Sequence, residues 1–153
     1  MKGIIWNSDG FGDTAKHLAV NELVREHKLD FMGIIEPGRS SFATPFLNFL
    51  AAGLDFTWYC IPPHGRSGGM LLGFNNATVA VQNVVSGEFC VKLHLTIKTD
   101  GFRWALVVVY GAAQDEKKPE FLAEMVRICE GETIPMLVGG EGFHHNQETR
   151  REK

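Results

Sequence analysis

Apolar residues come in three unbroken runs, Gly3-Ile4-Ile5-Trp6, Phe31-Met32-Gly33-Ile34-Ile35 and Pro135-Met136-Leu137-Val138-Gly139-Gly140, and each is followed by an oxygen-bearing side chain: Asn7, Glu36 and Glu141. Runs this short with no polar face predict strands buried on both sides. Helical patterns separate them. Asp13 or Thr14 can cap a helix in which Ala15, Leu18, Ala19 and Leu23 recur at helical spacing. A second helix is expected from Thr44-Pro45 to Gly53, burying Phe46, Leu47, Leu50 and Ala51. A third starts near Pro119 and stops at Gly131, with Phe121, Leu122, Met125, Ile128 and Cys129 inward.

The middle of the chain reads as successive strands over residues 69–74, 78–85, 89–98 and 103–110, expected to be antiparallel neighbours. Val91, Leu93, Leu95 and Ile97 alternate with Lys92, His94, Thr96 and Lys98, which predicts one dry face and one wet one. Residues 104–109 are apolar on both faces and need a cover on each side, most simply a second sheet and a helix. The element order is strand, helix, strand, helix, a set of strands, helix, strand. An α/β (α+β) fold of two stacked sheets with helices outside satisfies it.

With 153 residues and 44% apolar content, the chain is expected to form one domain over residues 1–141 and a polar tail over 142–153. The net charge of −3 supplies no global field for a polyanion, so contact with nucleic acid needs a local cationic patch. Cys60, Cys90 and Cys129 lie at no metal or redox spacing, and an odd count cannot pair off; a reducing nucleus or cytoplasm is expected. The first apolar run is too short for a secretory signal, and none reaches membrane-spanning length.

Glu36 carries the most chemical weight. A carboxylate at the end of an apolar strand needs solvent or a cation, and a hard ion such as Mg²⁺ would balance it. Asn7 offers a neutral oxygen at the equivalent end of its own strand, although a turn asparagine is the plainer reading. Tyr110 can aim a phenol at a phosphate oxygen, or serve only as packing. The loop Pro62-Pro63-His64-Gly65-Arg66-Ser67-Gly68-Gly69 presents His64 and Arg66 on glycine-rich backbone, which suits contact with a phosphodiester; it lacks the Gly-Lys-Ser/Thr ending of a nucleotide cradle. Glu141, His144 and His145 match no zinc framework.

Ile5-Trp6-Asn7, the strand end at Glu36, Gly68-Gly69-Met70-Leu71-Leu72-Gly73, Val109-Tyr110-Gly111 and Val138-Gly139-Gly140-Glu141 together resemble the endonuclease/exonuclease/phosphatase superfamily, which includes deoxyribonuclease I. The stretches 62–69 and 110–114 are most similar to the endonuclease-like domain of plant non-LTR retrotransposons. The resemblance implies a four-layer α/β/β/α sandwich and Mg²⁺-dependent phosphodiester hydrolysis of DNA. It implies a metal site at Asn7 and Glu36 and a catalytic set of Glu36, Tyr110 and Glu141; substrate contact through His64 and Arg66 is expected from their loop. Where the family has Gly-Asp-Phe-Asn, this chain reads Gly140-Glu141-Gly142-Phe143. The family's later Asp and Asp-His pair would fall beyond Lys153, so impaired catalysis is expected, together with an uncovered sheet face prone to self-association. A noncatalytic nucleic-acid or protein interaction module and a phosphoesterase of the same superfamily are the alternatives.

Overall fold

A computed structural model describes residues 1–63, 69–111 and 115–140, and among these residues two four-stranded sheets stack face to face. In chain order the elements are β1 (Gly3–Asn7), α1 (Thr14–His27), β2 (Phe31–Ile35), α2 (Thr44–Leu50), β3 (Phe56–Ile61), β4 (Met70–Asn75), β5 (Val79–Ser86), β6 (Cys90–Ile97), β7 (Arg103–Val109), α3 (Lys118–Cys129) and β8 (Met136–Gly140). The first sheet has the order β1-β2-β4-β3 and the second β5-β6-β7-β8. Only β1–β2 and β7–β8 pair in parallel; the other neighbours are antiparallel.

Alternation along the strands builds the layers. Ile35, Met70, Leu72 and Phe74 of the first sheet meet Val91, Leu93, Leu106 and Val108 of the second in the central core. The outer face of the first sheet, Met32, Ile34 and Leu71, is covered by Val20 and Val24 of α1 and Leu50 of α2. Cys90, Val107 and Val109 on the outer face of the second sheet lie under Phe121, Met125 and Ile128 of α3. The result is the α/β/β/α sandwich, and the strand 104–109 is covered by a sheet on one side and a helix on the other, as its sequence requires.

Several local expectations are corrected. Ala15, Leu18 and Ala19 face solvent; α1 buries Val20, Asn21 and Val24 instead. Polar members conceal the true stripe: Asn21 Nδ2 donates to the Phe49 carbonyl at 2.8 Å, and His17 Nε2 lies 2.6 Å from the Phe11 carbonyl. On α3 Leu122 is exposed and Glu124 is buried in phase with Phe121 and Ile128. Strand β4 does not pair with β5, because the turn between them carries the chain from one sheet to the other. Strand β3 was not anticipated, although Phe56-Thr57-Trp58-Tyr59-Cys60-Ile61 is rich in strand formers.

The wet face expected on β6 is largely covered. Lys92 Nζ reaches the Ile128 carbonyl at 3.0 Å, one of the last-turn carbonyls of α3, and Glu132 Oε1 at 2.5 Å. His94 Nε2 meets the same oxygen at 2.8 Å. These contacts hold the Glu132 carboxyl down at about 2, the hydrogen bond from Lys92 being the largest cause and that with His94 the next.

Candidate active site at the strand-end rim

Parallel pairing of β1 with β2 sets Asn7 opposite Ile35, so Asn7 and Glu36 leave adjacent strands at the same end of the sheet. Asn7 Oδ1 accepts the Asp9 N–H at 3.0 Å, an Asx turn that fixes the amide at the rim. Glu36 adopts a left-handed backbone, φ +57°, which a residue with a side chain takes at a cost. Its surroundings enforce the geometry. The Glu36 N–H donates to Gly69 O at 3.0 Å, while its carbonyl accepts the Gly10 N–H at 2.9 Å and the Ser8 hydroxyl at 3.1 Å. The buried Ser8 also donates its N–H to Ile35 O at 3.1 Å, and Lys16 Nζ braces the carbonyls of Ser8 and Gly10 at 2.7 and 3.0 Å. Strained backbone recurs at functional positions, and here Asp9 on the same rim shares it, while Lys28 and Ala52 adopt it beyond helix ends.

The second sheet contributes to the same end. Tyr110 follows β7, donates its N–H to Phe89 O at 2.8 Å, and lies in the central core with Ile35 and Met70. Burial first, then the Cys90 thiol and the Glu124 carboxylate, push its phenol up to about 12, so it stays a hydrogen-bond donor at any working pH. Strand β8 ends at Gly140, which pairs with Val109. With φ +120° and an added Cβ only 2.4 Å from Val109 O and 3.2 Å from Ile35 Cδ1, this position admits only glycine. The ends of β2, β7 and β8 therefore share one rim. His64, Arg66 and Glu141 lie outside the described residues, as do His144 and His145.

Asn7 and Glu36 are hard oxygen donors of the kind that suits Mg²⁺, an ion usually held by one or two carboxylates and several waters. No group of three or more His, Cys, Asp or Glu side chains able to hold a metal occurs among the described residues. Sequence reasoning missed Ser8, whose burial inside a turn-rich segment no hydropathy pattern reports. It also missed Glu124, detectable only as an acid in phase with an apolar stripe.

The family model for the endonuclease/exonuclease/phosphatase family matches residues 4–151, almost the entire chain. The chain belongs to that family. Among solved structures, this family member is similar to the human Nocturnin catalytic domain, with a TM-score of 0.61, 16% identity, and 90% of this chain covering 62% of that one. The mannosyl-6-phosphatase Bt3783 of Bacteroides thetaiotaomicron matches at TM-score 0.59 and 13% identity, over 91% of this chain and 63% of that one. TDP2 of D. rerio, complexed with a single-stranded DNA product, matches at TM-score 0.64 and 10% identity, over 90% and 59%. The chain thus spans about three fifths of the length of these relatives, and at such identities the likeness concerns the fold. No curated protein sequence matches this family member.

Proposed function

We propose that the rim is the active site of a Mg²⁺-dependent phosphodiester hydrolase acting on DNA, derived from a retrotransposon endonuclease domain. The observation that carries this reading is the parallel register that ends Asn7 and Glu36 side by side, with Glu36 held left-handed by three separate backbone contacts. Asn7 and Glu36 would hold the ion, which when bound neutralises charge developing on the phosphate. Tyr110 remains protonated and can donate to a phosphate oxygen at the rim, where a positioned donor counts for most. Glu141 would orient the attacking water. Its extra methylene relative to the family's Asp displaces the carboxylate by roughly 1 Å, a misplacement that can cost on the order of a hundredfold, so a slow enzyme is expected. DNA as substrate is supported by the sequence of the 62–69 loop and by the DNA product held by the TDP2 neighbour.

Nicking of supercoiled plasmid by the purified protein with Mg²⁺ tests the proposal, with Glu36→Ala as control. Slow cutting abolished by Glu36→Ala is the expected result. Cutting that persists in the variant refutes the assigned metal site.

A second reading, association through an open side of the sandwich, has its own observation. Among the described residues β1 and β8 are both sheet edges, and a largely apolar groove of about 430 Å³ between the sheets is lined by Phe31, Phe102, Trp104 and Leu137. The Trp104 indole N–H is buried there without a hydrogen-bond partner among the described residues. We infer self-association over this face, since open edges and apolar grooves invite pairing.

A further inference from the structure

The loop between β1 and α1 is tied on both sides, and the two sets of ties use opposite ends of the same peptide groups. Towards the first sheet its N–H groups grip the chain that leaves β2: Ser8 donates to Ile35 O at 3.1 Å, Gly10 to Glu36 O at 2.9 Å and Phe11 to Pro37 O at 3.1 Å. The buried Ser8 hydroxyl adds contacts to Ile35 O at 3.2 Å and Glu36 O at 3.1 Å. Towards the helix the carbonyls of the same three residues meet the first turn of α1. Ser8 O and Gly10 O both accept from Lys16 Nζ, at 2.7 and 3.0 Å, and Phe11 O lies 2.6 Å from His17 Nε2. The loop is therefore a coupling piece, with Glu36 on one side and two side chains of α1 on the other.

Packing alone accounts for His17, whose ring stands edge-on to Phe11 and Phe46, both centroids 4.7 Å away. Lys16 is different. Its charge lies in the first turn of α1, where the helix dipole opposes a cation, and Asp13, the cap of that turn, gives its carboxylate to the Ala15 N–H at 2.8 Å. What favours the half-buried ammonium there is its pair of charge-assisted bonds to Ser8 O and Gly10 O, which a neutral side chain would make more weakly. Two carbonyls converging on one ammonium bend the loop into a fixed arc. The N–H groups on the other side of that arc then fix the backbone of Ile35 and Glu36.

We propose that Lys16 is a positioning residue of the rim: by holding the Ser8 and Gly10 carbonyls together it locks the loop that keeps Glu36 left-handed, and so sets how tightly Asn7 and Glu36 take a divalent cation. The inference rests on the hydrolase reading for its ion, whereas the lock itself is a matter of backbone contacts. Lys16 acts without touching the ion or the phosphate. Its effect passes through Ser8 and Gly10 to the backbone of Glu36.

Removing the ammonium tests this by the sign of the effect. A bystander cation repels a second cation, so Lys16→Met would then leave Mg²⁺ binding unchanged or tighten it. Loss of a positioning residue weakens it instead. Mg²⁺ alone is titrated into the full chain, following the Asn7 and Glu36 amide signals by NMR, with urea unfolding measured alongside. Lys16→Met is expected to raise the Kd for Mg²⁺ about tenfold. Ser8→Ala should weaken binding to a similar extent, and the double variant should lose little more than either single one, because both act through one loop. Asn21→Ala, which removes the bond from α1 to the Phe49 carbonyl, should lower stability and leave the Kd unchanged. Unchanged or tighter binding in Lys16→Met, an equal weakening in Asn21→Ala, or losses that multiply in the double variant overturn the proposal. An unaltered protein that takes up no Mg²⁺ removes the hydrolase reading, and amide exchange then decides the lock. The Gly10 and Glu36 N–H groups should exchange at least about tenfold faster in Lys16→Met than the change in global stability accounts for, and a rise no larger than that change overturns the lock as well.

Discussion

Replacing Glu36 by glycine should leave a more stable protein than replacing it by alanine. Both variants lose the carboxylate and every contact it makes, so their difference isolates the backbone at φ +57°. A side chain in the left-handed region costs about 1–2 kcal/mol. Glycine escapes that cost but gives back about 0.5–1 kcal/mol through the greater freedom of its unfolded chain. Glu36→Gly should therefore exceed Glu36→Ala by about 1 kcal/mol, which for a chain of this size is a Tm difference of roughly 2–4 °C. Thermal and urea unfolding followed by circular dichroism measure it directly. Equal stability, or an alanine variant more stable than the glycine one, would show that the contacts of Ser8, Gly10 and Gly69 do not impose strain on this residue, and the argument for a functional rim would lose its main support. Neither variant should nick DNA.

Further outcomes follow from other contacts. Glu132 is held at about 2 against an ordinary 4.5, so the stability it contributes is complete above about 4.5 and lost as pH falls towards 2; urea midpoints across this range should show an acid limb that flattens in Glu132→Gln, and an unchanged limb refutes the assignment. Gly140→Ala drives a methyl into the Val109 backbone and should cost more than about 2 kcal/mol in urea unfolding; a loss under about 0.5 kcal/mol would mean β8 relaxes freely. Tyr110→Phe should retain the fold and lower cleavage at least about tenfold, while an unaltered rate would reduce Tyr110 to packing. Leu137, 45% exposed on edge strand β8, is the handle for self-association: Leu137→Asp should shift sedimentation profiles towards monomer, and identical profiles would exclude that face.

The sequence disclosed the sandwich and the ends of its strands because both depend on contiguous apolar runs and on the turns that stop them. Asn7 and Glu36 were legible as a pair since each terminates such a run, and the register of β1 with β2 does the rest. What the sequence concealed is tertiary. Whether β4 pairs with β2 and β3 or with β5 depends on which sheet its flanking turns enter, and residue alternation is the same in either sheet. The stripe of α1 was misread because His17 and Asn21 are polar residues whose hydrogen-bonding atoms are satisfied by the carbonyls of Phe11 and Phe49. Lys92, His94 and Glu124 were read as solvated or overlooked, since burial of a charge is licensed by its partner, and Glu132, Glu88 and Phe89 lie more than thirty positions away in the chain.

The strand pairings also differ in how much chain each has to close. The meander β5-β6-β7 closes through short turns, such as the Gly101 N–H to Ile97 O contact, and needs little chain ordering before its pairings form. By contrast, β1 meets β2 across α1, β7 meets β8 across α3, and β2 meets β4 across α2 and β3. Distant pairings of this kind bear the larger loop-closure cost and form late. A partly folded molecule holding only its meander would still keep Asn7 and Glu36 apart, so any chemistry at the rim would depend on the strand ends that fray first.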